Sequence, residues 1–248
     1  ILLHNELYLP SPKEFNDPFD SRITPNFTGL TLEEKKQYRI DFVANQIKRT
    51  KIDLDAVSLL EELEKKMDDI ESFQKFYEKE YYKIGDKNYG LLSLSARWNR
   101  ILLWSHYSNN HQGFCIGFWT NQLRNYGPFV KYGVVKYENN FPEIKPTVFQ
   151  NNSEEFREQA FTQTHTKAKI WRYEKEIRFL KIFDSLEPKP FERLIQFPNI
   201  VFSEVILGIN ISNNDKEEII EICKRKNIRV YQAKKVPFKF AIDRELIE

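Results

Sequence analysis

The stretch YGLLSLS at residues 89–95 is where the pattern of this chain changes. It reads as a strand, a short apolar run rich in residues that suit a sheet. The segment before it is helical. Thr31 with Glu34 forms a capping-box pattern that opens a helix running to about Arg49. From about Asp55 to Tyr82, the residues Leu59, Leu60, Leu63, Met67, Ile70, Phe73, Phe76 and Tyr77 recur at spacings of three and four, which marks one buried helix face. The Glu and Lys residues between them read as the solvated face. Residues 1–27 are extended and turn-rich, because Pro10, Pro12, Pro18 and Pro25 forbid a long helix.

Strands dominate the chain beyond residue 95. A short helix is expected from Asn99 to Asn109, with Gly113 ending the turn after it. FCIGFW (114–119) and YGVVKY (132–137) read as strands, and 153–168 as a helix opened by Ser153, Glu154 and Glu155. EKEIRFLKIF (174–183) is a long strand candidate and EVILGI (204–209) an apolar one. A helix from Asp215 to Asn227 precedes closing strands at 228–234 and 238–242. Helices in the first third and strands in the remainder imply an α+β fold with a mixed or antiparallel sheet core, rather than alternating α/β. The 248 residues fit one α+β domain spanning 1–248.

Composition excludes several functions. The chain is 41% hydrophobic and 30% charged, so it is globular rather than disordered. Its net charge of +2 shows no overall basic excess of the kind nucleic-acid readers carry, although a local groove can still be basic. None of the eight glycines forms a GxGxxG or GxxxxGK[ST] loop, which argues against kinase, P-loop and Rossmann chemistry. Cys115 and Cys223 sit in apolar surroundings, read as small buried hydrophobes, and form no CxxC pair, so no zinc site is expected. The apolar runs are too short to span a membrane and no signal peptide is visible, so a soluble cytoplasmic protein is expected. The chain starts at Ile1 rather than Met, which leaves open a preceding native segment.

Three constellations could carry chemistry. Phe15-Asn16-Asp17-Pro18-Phe19-Asp20 is either a structural turn pinned to the core by its two Phe residues, or a loop presenting Asn16 or Asp17 to a ligand. Ser93 and Ser95 point to one face of their strand and are followed by Trp98, Trp104, His106, Tyr107 and His111. The histidines are five apart, the wrong spacing for a helical metal pair, so no metal is expected. They are either structural hydrogen-bonders or part of a polar cleft. In Trp171-Arg172-Tyr173-Glu174-Lys175-Glu176-Ile177-Arg178, a strand would put Glu174, Glu176 and Arg178 on one face. That face is either a solvated Glu–Arg salt bridge or a carboxylate pair at the lip of a cleft, able to stabilise a cationic sugar transition state.

FNDPFD at 15–20, LLSLS at 91–95, WSHYSNNHQGFCIGF at 104–118 and WRYEKEIRF at 171–179 together resemble a bacterial family known as domain of unknown function 2971. The resemblance covers nearly the whole chain. The charged segment at about 31–85 matches least and is taken as a helical insertion. That family in turn resembles ADP-ribosyltransferases in motif layout, which implies an ADP-ribosyltransferase-like sheet core and NAD as the substrate cofactor. On that resemblance Ser93 and Ser95 shape the nicotinamide pocket, and Glu176 holds the ribose 2′-hydroxyl. Glu174 positions or activates the acceptor. The NAD-anchoring residue of the family's first strand has no counterpart, since His4 stands too near the FNDPFD turn. Asn16, Asp17, His106, Tyr107 and His111 are the remaining pocket candidates.

The leading expectation is an NAD-dependent ADP-ribosyltransferase, a bacterial toxin or phage-defence effector acting on a protein or nucleic-acid acceptor. The alternatives are a nucleic-acid-processing or nucleic-acid-binding defence protein using the His106, Tyr107, His111 and Asp17 cluster, and a non-enzymatic module that binds a partner protein through 31–85.

Overall fold

The computed structural model describes residues 1–50, 55–148, 153–183 and 188–247. The chain opens with β1 (Glu6–Tyr8) and a single 3-10 turn at Pro12–Glu14, capped reciprocally by Ser11 and Glu14. Helices α1 (Leu32–Thr50), α2 (Ala56–Asp68) and α3 (Ile70–Asn88) come next. The single helical stretch expected from 55 to 82 is therefore two helices. Asp69 leaves helical geometry (φ −94°, ψ 84°), and its carboxylate caps the new helix by accepting from Ser72 N at 3.1 Å. These helices build their own core around Phe27. Its ring meets those of Tyr38 and Phe73 edge-on at 5.0 Å and that of Tyr77 at 4.6 Å.

The remainder contains β2 (Tyr89–Ser95), α4 (Ile101–Tyr107), β3 (Phe114–Phe118), α5 (Thr120–Tyr126), β4 (Lys131–Val134), β5 (Lys136–Glu138) and α6 (Glu154–Thr164). After these come β6 (Thr166–Ala168), a 3-10 segment at Lys169–Glu174, and β7 (Glu176–Ile182). The chain closes with β8 (Leu194–Gln196), β9 (Phe202–Leu207), α7 (Asn213–Lys226), β10 (Arg229–Lys235) and β11 (Ile242–Leu246).

Two principal sheets face one another. One has the order β2–β7–β4, all antiparallel. The other runs β11–β10–β9–β3, where β9 and β10 are parallel across α7 and the outer pairs are antiparallel. Two minor ladders pair β1 with β8 and β5 with β6. The fold is α+β with mixed sheets. Leu92 and Phe179 from the first sheet and Val205, Leu207 and Val230 from the second belong to one buried cluster, so the sheets share a core.

Four details depart from the sequence reading. Helix α5 was not expected, because TNQLRNY carries one strongly apolar residue, Leu123, which is fully buried. The strand expected at 132–137 changes partner at the buried Val135, whose N–H donates to Glu176 O in register with the β4–β7 ladder, while from Lys136 onward the chain pairs with β6. The helix expected to reach 168 stops at Thr164, and Thr166–Ala168 turn into β6. The last strand begins at Ile242 rather than 238, and Phe238 and Phe240 stand wholly exposed on the preceding turn.

Candidate functional site

The register between β2 and β7 places Ser95 opposite Glu176 and Ser93 opposite Arg178. Above this part of the sheet lies a cleft of about 690 Å³. Asn16, Asp20, Ser93, Ser95, Lys167, Glu174, Glu176 and Arg178 line one side. Ile116, Phe118, Ser203 and Glu204 line the side contributed by β3 and β9.

The floor of the cleft is a closed chain of charges. Arg178 is 1% exposed and makes a bidentate pair with Asp20, Nη1 to Oδ1 and Nη2 to Oδ2, both at 2.6 Å. Its Nε donates to Glu176 Oε2 at 2.6 Å, and Nη1 also donates to Thr164 O at 2.7 Å. The ammonium of Lys167 continues the chain, donating to Glu176 Oε1 at 2.5 Å and to Glu174 Oε2 at 2.6 Å, with Asp20 Oδ2 at 3.4 Å. Tyr107 at the mouth closes it, its hydroxyl donating to Glu174 Oε1 at 2.8 Å.

Two cations thus serve three carboxylates, and the titration of the glutamates divides accordingly. Burial pushes the Glu174 carboxyl up, and the Glu176 carboxylate beside it pushes the same way. Lys167 and Tyr107 offset only part of this. Burial also works to raise Glu176, but the Arg178 guanidinium and Lys167 override it and hold that carboxyl well below the usual range. Glu176 is therefore the permanent anion and Glu174 the group able to exchange a proton near neutral pH. Burial and the Glu174 hydrogen bond push the Tyr107 phenol up to about 12. His165 lies beneath the network with Nε2 3.1 Å from Arg178 O and Nδ1 3.0 Å from Thr164 Oγ1. Its burial lowers the imidazole to about 4, so it is neutral.

Of the residues singled out from sequence, Asn16, Ser93, Ser95, Tyr107, Glu174 and Glu176 line the cleft. The two serines differ. Ser95 Oγ donates to Glu174 O at 2.6 Å and accepts from Arg97 N at 3.0 Å, so it fastens the Glu174 turn to β2. Ser93 is exposed toward the cleft and has no hydrogen-bond partner among the described residues.

Asp17, His106 and His111 are placed elsewhere. Asp17 accepts from Phe19 N at 2.9 Å and shapes the turn that delivers Asp20. Of that turn's two Phe residues, Phe15 packs against the core while Phe19 is 65% exposed. His106 is exposed on α4, edge-on to Tyr107. His111 has a positive φ of 68°, stacks on Trp104, and accepts from Asn210 N through its carbonyl at 2.9 Å. Ser105 Oγ lies 3.3 Å from its Nε2.

The carboxylates also correct the sequence picture. Glu174 does not share a strand face with Glu176. It ends the 3-10 segment, and Lys175 takes a left-handed conformation (φ 49°, ψ 51°) before β7 begins. That reversal lets both side chains converge on Lys167. The face they form is buried, with Glu174 3% and Glu176 5% exposed, and is not a solvated salt-bridge surface. Sequence reasoning missed Asp20 and Lys167. Asp20 stood in the quoted FNDPFD motif, whereas Lys167 fell in a segment expected to be helical and gave no signal. Among the described residues no group of three or more His, Cys, Asp or Glu is placed to hold a metal ion. Lys167 and Arg178 occupy the positions among the carboxylates that a cation would take.

Such a site invites comparison with known families. Residues 103–179 match the model of the family described as protein of unknown function DUF2971. The DUF2971 match covers less than half of the chain, from α4 to β7, and contains Tyr107, Lys167, Glu174, Glu176 and Arg178. No curated protein and no solved structure matches the chain. Among the described residues no helix is long and apolar enough to cross a membrane.

Proposed function

We propose that this protein is an NAD-dependent ADP-ribosyltransferase whose reaction takes place above the β2–β7 pair. The observation that carries the reading is the cross-strand pairing of Ser95 with Glu176, both facing a cleft large enough for a dinucleotide arm. The Ser-x-Ser and Glu-x-Glu patterns are far apart in sequence and lie side by side in the fold.

In this reading the nicotinamide ring enters the cleft beside Ser93, whose hydroxyl is free to bond its amide. Glu176, kept ionised by Arg178 and Lys167, accepts the ribose 2′-hydroxyl through a remaining lone pair. The C1′–N bond breaks and nicotinamide leaves with the bonding electron pair. The oxocarbenium-like centre that results is stabilised by the fixed negative charge of Glu176. An acceptor nucleophile then bonds C1′, and its proton passes to Glu174. The raised affinity of Glu174 for a proton suits a general base near neutrality. Asp20 and Lys167 act as positioning residues, holding both carboxylates in place.

The test is NAD binding by calorimetry together with transfer from etheno-NAD, using the wild type, Glu176→Gln and Ser93→Ala. Binding weakened by Ser93→Ala and turnover lost in Glu176→Gln are expected. Absence of NAD binding at millimolar concentration overturns the reading. A role as a bacterial toxin or phage-defence effector forms part of the same proposal. It requires that expression arrest growth and that Glu176→Gln relieve the arrest.

A further inference from the structure

The chain as a whole is nearly neutral, yet the charges around the cleft mouth are segregated. From Ala96 to Gly113 the sequence contains no Asp or Glu, and between His165 and Lys175 the one acidic residue is the buried Glu174. Arg97, Arg100, Arg172 and Lys175 are all exposed and form no ion pair with a described residue.

The backbone ties these cations to the mouth. Ala96 N donates to Lys175 O at 2.9 Å, and Arg97 N to Ser95 Oγ at 3.0 Å, so Arg97 and Lys175 flank the contact between Ser95 and Glu174. Arg172 belongs to the 3-10 segment whose Trp171 ring covers the Lys167 ammonium at 4.9 Å. Arg100 opens α4, the helix that ends at Tyr107 and is about 10 Å long at 1.5 Å per residue. Of the elements packed against this rim, β5 adds the exposed pair Lys136 and Glu138, which cancel.

Aromatic side chains stand between the cations. Tyr107 is 56% exposed, and Trp98 and Trp171 are half-buried. One dinucleotide pyrophosphate carries two negative charges, so four unpaired cations at the cleft mouth, two from the 96–100 segment and two from the 3-10 segment and its cap, exceed what NAD needs. Cations at the edge of a groove with interleaved rings suit an extended strand of phosphates and unstacked bases.

We propose that this rim binds a single strand of nucleic acid and that the strand is the acceptor of the transferred group. The acceptor half rests on the transferase reading, whereas the binding half stands without it. A base or sugar nucleophile of the strand would bond C1′ as nicotinamide departs with its electron pair, and the displaced proton would go to Glu174.

The test is fluorescence anisotropy of a labelled single strand of about 12 nucleotides, titrated against the whole chain at several salt concentrations. The variants are Arg97→Ala, Arg172→Ala and their double, with Lys65→Ala on α2 as a remote control and circular dichroism to verify folding. Salt-sensitive binding is expected, with the slope of log K against log salt reduced by about 0.7 for each phosphate contact removed. Lys65→Ala should match the wild type. No binding at low salt, binding indifferent to the rim substitutions, tighter binding of the corresponding duplex, or equal binding of polyglutamate would each overturn the surface. With NAD added, label transfer to the strand supports the acceptor assignment, and NAD turnover without transfer to the strand overturns it. A strand bound through Arg97 by a protein that binds no NAD would retain the surface and sink the transferase reading.

Discussion

Arg178 and Asp20, 158 positions apart, are joined by two parallel hydrogen bonds of 2.6 Å, and this pair fastens the FNDPFD turn to the middle of β7. With Arg178 1% and Asp20 3% exposed, neither charge is solvated. The pair gives an otherwise irregular N-terminal segment a fixed place beside the cleft.

Removing one partner should therefore cost more than removing both. Asp20→Ala leaves a buried guanidinium with Glu176 as its remaining carboxylate, and a loss of about 3–5 kcal/mol is expected. The double variant Asp20→Leu with Arg178→Met should be less destabilised than the single. Urea denaturation of the wild type, Asp20→Leu, Arg178→Met and the double variant decides this, and an additive double variant would show that the pair is not coupled.

The pH dependence of stability should show two opposed trends. The raised Glu174 carboxyl binds its proton more tightly folded than unfolded, so its contribution falls as pH rises from the ordinary glutamate range toward neutrality. His165, lowered from 6.5 to about 4, contributes in the other direction, with stability lost as pH falls through that window. The depressed Glu176 contributes above the ordinary glutamate value, and this is lost at more acid pH. Glu174→Gln should thus gain stability relative to wild type progressively between about pH 5 and 7. A difference that stays constant across that range contradicts the assignment.

Lys167 neutralises whichever of its carboxylates is ionised. Lys167→Met should raise the Glu174 carboxyl further and destabilise the protein more at pH 8 than at pH 5. Unfolding midpoints at the two pH values test this, and equal losses would mean that Lys167 acts through packing alone.

Ser93 and Ser95 should separate by readout. Ser95→Ala removes the bond that holds the Glu174 turn, costing about 1 kcal/mol of stability and disturbing the site indirectly. Ser93→Ala should leave the unfolding midpoint unchanged and weaken NAD binding several-fold. Paired denaturation and calorimetry would expose any reversal of these roles.

The Thr31–Glu34 capping pattern made α1 legible and a short apolar run made β2 so, while apolar residues at spacings of three and four marked the buried face of α2 and α3. The same spacing did not show the break at Asp69, since a capping carboxylate looks like any other charge on a solvated face. Helix α5 was hidden for a related reason, as it rests on a single buried leucine.

At the site, the sequence by itself determined that Ser93 and Ser95 share a face and that two glutamates stand close to an arginine. Those facts come from the two-residue period of a strand and from short-range spacing. Tertiary structure alone decided the rest. The left-handed Lys175 took Glu174 off the strand, and antiparallel pairing set Ser95 against Glu176. Lys167 from β6 neutralises the two glutamates, and Asp20 from the far N-terminal turn neutralises Arg178, charges that could not otherwise be buried. A buried carboxylate needs a counter-charge within a few ångströms, but nothing in linear sequence specifies which cation supplies it. Only the packing of β6, β7 and the N-terminal turn makes that choice.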